Sequence, residues 1–161
     1  MSINAAPDRI WECLKTVDIN RSPISRALFA LRRLPAGRSS NVFPLTVDKM
    51  TLGGFIPLGE RPSDELLLGL IGKPWSARYS ARTVQPTEFK SFSEDGFAKM
   101  VWNFKLGGEA RPFRLSTESR VRCADEASRR KFKLYWNFIW PFSGFIRMEL
   151  LRLVRDCAQG A

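Results

Sequence analysis

Two sets of bulky side chains show the spacing expected of a ligand-binding cavity. The first set alternates with polar residues, as on one face of a strand: Met100, Trp102 and Phe104. The second set recurs later in the chain at helical spacing: Tyr135, Trp136 and Phe142. If that helix lies across that strand, the two sets enclose space for an apolar body such as an acyl chain, a terpenoid or a polycyclic aromatic compound. Ordinary packing of a helix on a sheet is the alternative interpretation.

Two hydroxyl residues belong to the same candidate site. Thr117 and Ser119 share a predicted strand face with Leu115 and Val121. Buried hydroxyls need hydrogen-bond partners, so they could orient the polar end of a ligand or could bond neighbouring backbone. The candidate ligand-binding residues are therefore Met100, Trp102, Phe104, Thr117, Ser119, Tyr135, Trp136 and Phe142.

Catalytic and metal-binding patterns are absent from the sequence. It contains no histidine, which excludes Ser-His-Asp and Cys-His catalysis and His-ligated metal sites. Glu118 and Arg120 are expected on the opposite strand face, as a surface ion pair of little energetic weight. We identify no catalytic residue and expect no metal and no cofactor. Whether the protein is an enzyme stays open.

The cysteine pattern predicts free thiols. Cys13, Cys123 and Cys157 are an odd number without CxxC spacing, which is untypical of a disulfide framework or a structural zinc site. Met1 to Asp8 lack the charge and apolar run of a signal peptide, and no uncharged apolar run approaches the roughly 20 residues of a membrane-spanning helix. We therefore expect a cytoplasmic protein.

The positive charge is concentrated toward the ends of the 161-residue chain. There are 26 basic and 16 acidic residues, a net charge of +10; residues 1–40 carry +4, residues 41–110 carry 0 and residues 111–161 carry +6. Six cations fall between positions 120 and 133, opposed by Asp125 and Glu126. Such a cluster could contact phosphate or a lipid headgroup, or it could be a solvated surface. It accompanies no nucleic-acid-binding motif, so we expect no nucleic-acid partner.

The elements that position these residues begin with two amphipathic helices. Pro7 and Asp8 start the first, whose apolar face is Ile10, Leu14 and Val17. Ser22 and Pro23 start the second, whose apolar face recurs at helical spacing and which ends before Gly37. Its apolar residues are Ile24, Ala27, Leu28 and Leu31.

Short strands follow the two helices. The patterns predict strands around 43–47, 52–58, 65–71 and 76–84, with Gly53-Gly54 producing a bulge or bend, and a short helix at 86–89. Alternation over 99–106 and 113–121 predicts an antiparallel hairpin. The polar segment 86–95, with Phe89 and Phe92, is expected to form a mobile cover at the mouth of the cavity.

The last element is predicted to be one long helix in a single domain covering residues 1–161. Asp125 is its predicted cap, and apolar residues recur from Phe132 to Cys157. Pro141 is expected to bend the helix, because its ring removes one hydrogen bond and clashes with the carbonyl of Asn137.

The order of elements and several short runs resemble the SRPBCC superfamily, which includes START lipid-transfer domains and polyketide cyclases. The resemblance covers nearly the whole chain and implies a bacterial branch largely without assigned function. The runs that carry it are INAAPDRIW (3–11), GGFIPLGE (53–60), ELLLGLIGKPW (65–75), STESRV (116–121) and SRRKFKLYWNFIWPFSGFIR (128–147).

This resemblance implies an α+β helix-grip fold, a curved antiparallel sheet wrapped around a long C-terminal helix with two short N-terminal helices. It implies that a hydrophobic small molecule, lipid-like or polycyclic aromatic, binds between the sheet and that helix. The alternatives are an enzyme similar to polyketide aromatase/cyclases and a peripheral membrane or scaffold protein that uses its basic ends; membrane contact is the less favoured. Members of that superfamily begin with a full first strand, whereas here only Met1 to Ile3 are available for it before the Ala-Ala-Pro at 5–7. Either the native chain starts upstream or one sheet edge is short and open to a second copy, as in a homodimer.

Overall fold

The computed structural model describes residues 1–22, 46–76 and 80–160, which form an α+β helix-grip fold. Its helices are α1 (Pro7–Thr16), α2 (Pro86–Phe89) and α3 (Glu126–Gln159), with 3-10 helices at Ile19–Arg21 and Val47–Gly53. Its strands are β1 (Ser2–Ile3), β2 (Ile56–Arg61), β3 (Glu65–Gly72), β4 (Ala81–Arg82), β5 (Ala98–Gly107) and β6 (Phe113–Cys123).

The strands form one antiparallel sheet in the order β1-β6-β5-β3-β2, with β4 paired to the end of β3. The predicted hairpin is its centre, running from Ala98 opposite Cys123 to Gly107 opposite Arg114. Trp102 stands between Leu68 of β3 and Ser119 of β6. The β1 edge consists of two residues that pair with Arg114 and Phe113.

The first predicted helix is confirmed. α1 begins at Pro7 with Asp8 in its first turn, where the carboxylate suits the helix dipole, and it buries Ile10 and Leu14. The predicted second helix lies outside the described residues, as do Phe43 and Leu45 of the predicted strand at 43–47.

The prediction of a strand at 52–58 is wrong in its first half. Val47–Gly53 is a 3-10 helix that ends at Gly54, whose φ of 86° and bonds to the carbonyls of Met50 and Thr51 reverse the chain. The strand therefore starts at Ile56, and its irregularity lies between Pro57 and Gly59 rather than at Gly53-Gly54. Within 76–84, strand pairing is limited among the described residues to Ala81–Arg82.

The last helix is confirmed, with Asp125 as its cap. The Asp125 carboxylate accepts hydrogen bonds from Ser128 N at 2.8 Å and Ser128 Oγ at 2.6 Å. It also accepts one from Gly96 N at 2.6 Å, which ties the start of α3 to the start of β5. At 34 residues the helix is about 51 Å long and continues through Pro141. The bend at Pro141 stays a prediction.

The main core lies on one face of the sheet, called the inner face, under α1 and the C-terminal part of α3. Leu66, Leu68, Trp102, Phe104, Leu106 and Leu115 supply the sheet side. Ile10 and Leu14 of α1 and Leu150 and Val154 of α3 close over them. Both helices therefore bury their apolar faces in one core, as their amphipathic spacing predicts.

A second, smaller core lies on the opposite, outer face and overturns the predicted cover. Phe89 is buried there with Ile56, Ile71 and Phe97. Its ring lies over Gly69, where a Cβ would approach Phe89 Cε2 to 2.6 Å. Lys99 Nζ donates to the carbonyls of Phe89, Lys90 and Phe92 at 2.6–3.2 Å. The segment 86–95 is therefore fastened to the outer face and does not cover the predicted cavity.

The prediction of free thiols is wrong for two of the three cysteines. Cys13 of α1 and Cys157 of α3 form a disulfide across a sequence separation of 144 residues, while Cys123 remains a thiol. Burial raises the pKa of the Cys123 thiol, and the nearby Asp125 carboxylate raises it further. Cys123 is therefore a poor nucleophile. Within residues 1–22, 46–76 and 80–160, none of the helices combines the length and the apolar character needed to cross a bilayer.

Replacement of Asp125 tests the connection between α3 and the sheet. Its hydrogen bonds to Ser128 and Gly96 lower the pKa of the carboxyl from 3.8 to about 2. A lowered folded-state pKa stabilises the protein above the ordinary pKa, and this contribution is lost as the pH falls from about 4 to about 2. We expect Asp125→Ala to lower the Tm at pH 7, and we expect the Tm of this variant to approach that of the wild type near pH 2. Asp125→Asn, whose side chain can still cap the helix, should lower the Tm less than Asp125→Ala does. A difference in Tm between Asp125→Ala and the wild type that stays the same at all pH values would contradict this assignment.

Counting reactive thiols tests the disulfide. Iodoacetamide added to the denatured, unreduced chain should add one carbamidomethyl group by mass, on Cys123, and should add three after reduction. Addition of three groups without reductant would show that Cys13 and Cys157 are free.

Candidate functional site

The inner face is packed at one end and less buried farther along the β5–β6 hairpin, until Ala98, which is buried again. Leu115 and Phe104 are fully buried, and Trp102 is nearly so. Beyond them, Ser119, Met100 and Val121 are only half-buried although they share the same face. The packed core therefore covers one end of the inner face and leaves apolar surface accessible at the other.

Trp102 lies at the boundary between the packed and the accessible parts. Its ring contacts Phe104 and Phe55, with centroids 4.9 and 6.2 Å apart. Its indole N–H donates to Thr117 Oγ1 at 2.7 Å, and that hydroxyl donates to the carbonyl of Asn103 at 3.0 Å. Thr117 therefore has partners within the protein and fixes the orientation of the Trp102 ring.

The part of α3 above this surface is held at its ends and not buried between them. Ser128 is buried beside the cap, and the next fully buried residues are Leu150 and Leu151. None of the residues 129–149 is fully buried. The residues on the same helix face as Leu150 and Val154 are half-buried throughout this stretch: Phe132, Trp136, Ile139 and Ile146.

An aromatic cluster closes the end near the Asp125 cap. Phe132 stacks on Trp136 at 5.7 Å between ring centroids and lies 6.2 Å from Tyr135. Trp75, three residues beyond β3, meets the edge of Phe132 at 6.5 Å. This contact joins α3 to the segment that follows β3.

The eight predicted residues fall into two groups, on the sheet and on α3. Met100, Trp102, Phe104, Thr117 and Ser119 share the inner face, as predicted. Tyr135, Trp136 and Phe142 lie half-buried on α3. Phe104 has no accessible surface, so it supports the site from within the core and does not line it.

Three aromatic residues near the candidate site were not predicted from the sequence: Trp75, Phe55 and Phe132. Phe132 had a detectable signal, because it starts the helical spacing that contains Trp136. Trp75 and Phe55 lie outside periodic elements, and the only hint was a large aromatic residue in otherwise turn-like sequence.

The outer face carries a polar groove of about 710 Å³ that does not have the features of an active site. Glu65 accepts from Asn103 Nδ2 at 2.7 Å, and this hydrogen bond is the main reason that the pKa of its carboxyl is lowered. Glu118 pairs with Arg120 at 2.8 Å on the surface, as predicted, and its pKa is lowered for that reason. Both carboxylates are ionised near neutral pH, so neither is suited to act as a general acid.

Comparison of the chain with protein families, with curated proteins and with solved structures finds no match. The resemblance to the SRPBCC superfamily therefore stays a prediction from the sequence, and the inner-face site is interpreted from its geometry.

Two tryptophan replacements test the boundary of the packed core. Trp102 is 9% exposed and Trp140 is 59% exposed. We expect Trp102→Ala to lower the free energy of unfolding by ~3–5 kcal/mol, as for a large core side chain. Trp140→Ala should change it by less than about 0.5 kcal/mol. Equal effects in urea denaturation would contradict the inner-face assignment.

Proposed function

We propose that this protein binds a hydrophobic small molecule between the inner face of the sheet and the middle of α3. The observation that carries the proposal is the burial pattern of α3, which is packed at Ser128 and from Leu150 onward but has no fully buried residue between them. A helix that packed continuously on a sheet would bury its apolar face in every turn.

The composition of the two surfaces favours an apolar ligand with a flat or flexible body. The sheet side offers Met100, Val121 and the exposed part of Trp102, and the helix side offers Trp136 and Phe132. Aromatic walls suit polycyclic rings or acyl chains, and methionine adapts to irregular shapes. Ser119, half-buried beside Trp102, is the polar group placed to meet one end of such a ligand.

Binding is favoured over catalysis because the site lacks an acid–base pair. The polar inner-face groups near the proposed site are the hydroxyls of Thr117 and Ser119 and the thiol of Cys123, whose pKa is raised by burial. Thr117 already bonds Trp102 and Asn103. The carboxylate of Glu60, on the inner face of β2, is bonded to Trp11 and Lys15 of α1. A cyclase would need groups that move protons at the reacting carbon atoms. The enzyme alternative would be supported if the protein converted a candidate polyketide to a cyclised product over many turnovers.

We propose the cytoplasm as the compartment, as the sequence predicts. The Cys13–Cys157 disulfide weighs against it, because disulfides persist mainly in oxidising compartments. Alkylation of thiols in intact cells before lysis decides the matter: a trapped disulfide would place the functional protein elsewhere.

Matched serine replacements test the binding site. Ser119 lies on the inner face and Ser116 lies exposed on the outer face of the same strand. Ser119→Trp should occupy the space under α3 and weaken binding of the fluorescent fatty acid 11-(dansylamino)undecanoic acid by about 10-fold or more. Ser116→Trp adds the same ring on the other side and should bind as the wild type does.

The stability of these variants provides a second measurement. Insertion into a packed core costs about 1–3 kcal/mol, whereas insertion into open space does not. We expect the free energies of unfolding of Ser119→Trp and Ser116→Trp to agree within about 1 kcal/mol. Val121→Phe, a smaller change on the same face, provides a second test variant. No binding of the probe to the wild type, or equal binding by both serine variants, would contradict the proposal.

A further inference from the structure

The side of α3 that points away from the sheet carries an exposed apolar stripe. Leu134, Phe138, Phe145 and Met148 are all exposed large hydrophobic residues, and Phe138 is 76% exposed. Their spacings of four, seven and three residues keep them on one helix face. Pro141 falls on the same face between Phe138 and Phe145. The stripe is about 21 Å long, because it spans 14 residues at 1.5 Å each.

This stripe contains four of the six exposed large hydrophobic side chains of the described residues. The others are Trp140, which also lies on α3, and Leu52 on a 3-10 helix. Single exposed apolar residues are ordinary, but a contiguous row indicates a surface that is covered in the functional state.

The charge around the stripe indicates what covers it. Residues 127–148 contain five cations and no acidic residue. Arg130 and Lys131 lie on or beside the helix face that carries the stripe, whereas Arg129 and Arg147 lie toward the sheet. Arg152 follows the stripe on the same face and pairs with Glu149 at 3.5 Å. The nearest ion-pair partner of Arg130 is Glu126 at 3.6 Å, with both side chains largely exposed, so this cation remains available.

We propose that this face of α3, from Arg130 to Arg152, docks on an anionic lipid bilayer, with Phe138 and Phe145 inserted among the headgroups. An interfacial helix combines an apolar row with flanking cations. Attraction between the cations and anionic lipids supplies the orientation. The surface differs from the inner-face ligand site, which uses the opposite side of the same helix.

This surface differs from the basic-end contact that the sequence suggested. The basic ends alone would give a contact without an apolar anchor, and a single weak signal gives only marginal membrane binding. The structure brings cations and apolar residues together on one helix, so the two contributions act at the same place.

Vesicle flotation of the full chain tests the proposal. We expect binding to vesicles of phosphatidylcholine with 30% phosphatidylglycerol at about 0.1 M salt, and weaker binding at 0.5 M salt because the charge attraction is screened. Phe138→Ser together with Phe145→Ser should weaken binding by about 10-fold or more, since two apolar anchors are removed. Leu52→Ser is the matched control, because Leu52 is 80% exposed but lies off α3, and it should bind normally.

Charge variants and a spectroscopic measurement complete the test. Neutralising Arg130, Lys131 and Lys133 to Gln should weaken binding, whereas neutralising the exposed Lys49, Lys90 and Arg111 to Gln should change it less. Brominated lipids should quench the added tryptophan of Phe138→Trp, on the stripe, more than that of Leu52→Trp, off α3.

Two outcomes would overturn the proposal. One is absence of binding to anionic vesicles, or equal loss in the Phe138/Phe145 and Leu52 variants. The other is a dimer in sedimentation equilibrium that the Phe138/Phe145 variant dissociates while vesicles are not bound, which would assign the stripe to a second copy of this chain. Neither outcome bears on binding of the fluorescent fatty acid, because the substituted side chains point away from that site.

Discussion

The carboxylate of Asp125 fixes where the longest helix begins, and the proposed ligand site depends on that position. Its bonds to Gly96 N and to both groups of Ser128 join the start of β5 to the start of α3. The other end of the helix is held against α1 by buried Leu150 and Val154 and by the Cys13–Cys157 disulfide. Because its two ends are fixed separately, the helix can span the sheet without packing on it in every turn.

The two proposals assign different tasks to the two sides of α3. Trp136 and Phe132 face the sheet and remain half-buried, which is typical of a wall that awaits a ligand. Phe138 and Phe145 face away from it and are exposed, within a stretch of helix that has cations and no acidic residue. A protein that takes up a water-insoluble molecule needs access to the phase that holds it, so an apolar interior site and a membrane-docking surface on one helix are physically compatible.

The regular elements could be predicted because their signals are local. Alternation around Trp102 and Leu115 defines the β5–β6 hairpin, and Asp125 with the spacing that follows defines α3. The side of the sheet on which a connecting segment lies is not a local property. Phe89 is fastened to the outer face because Gly69 leaves room for its ring and Lys99 binds three of the segment's carbonyls, and neither contact shows in a pattern of hydropathy.

The site was predicted in part for the same reason. The alternation of side chains along the strands placed Met100, Trp102 and Ser119 on one face. It could not distinguish the fully buried Phe104 from the half-buried Met100, because that difference depends on where the ends of α3 are held. Cys13 and Cys157 are 144 residues apart and have no motif, so their pairing follows only from the meeting of α1 with the end of α3.

The central claim is that open apolar space separates the middle of α3 from the inner face. A crystal structure determined under xenon pressure tests it most directly, because xenon occupies dry apolar cavities and is visible as a strong isolated peak. We expect xenon between Met100, Val121 and Trp136, with no protein side chain filling that space. Direct contact of Trp136 with Met100, or other side chains of the chain packed between them, without bound xenon, would contradict it.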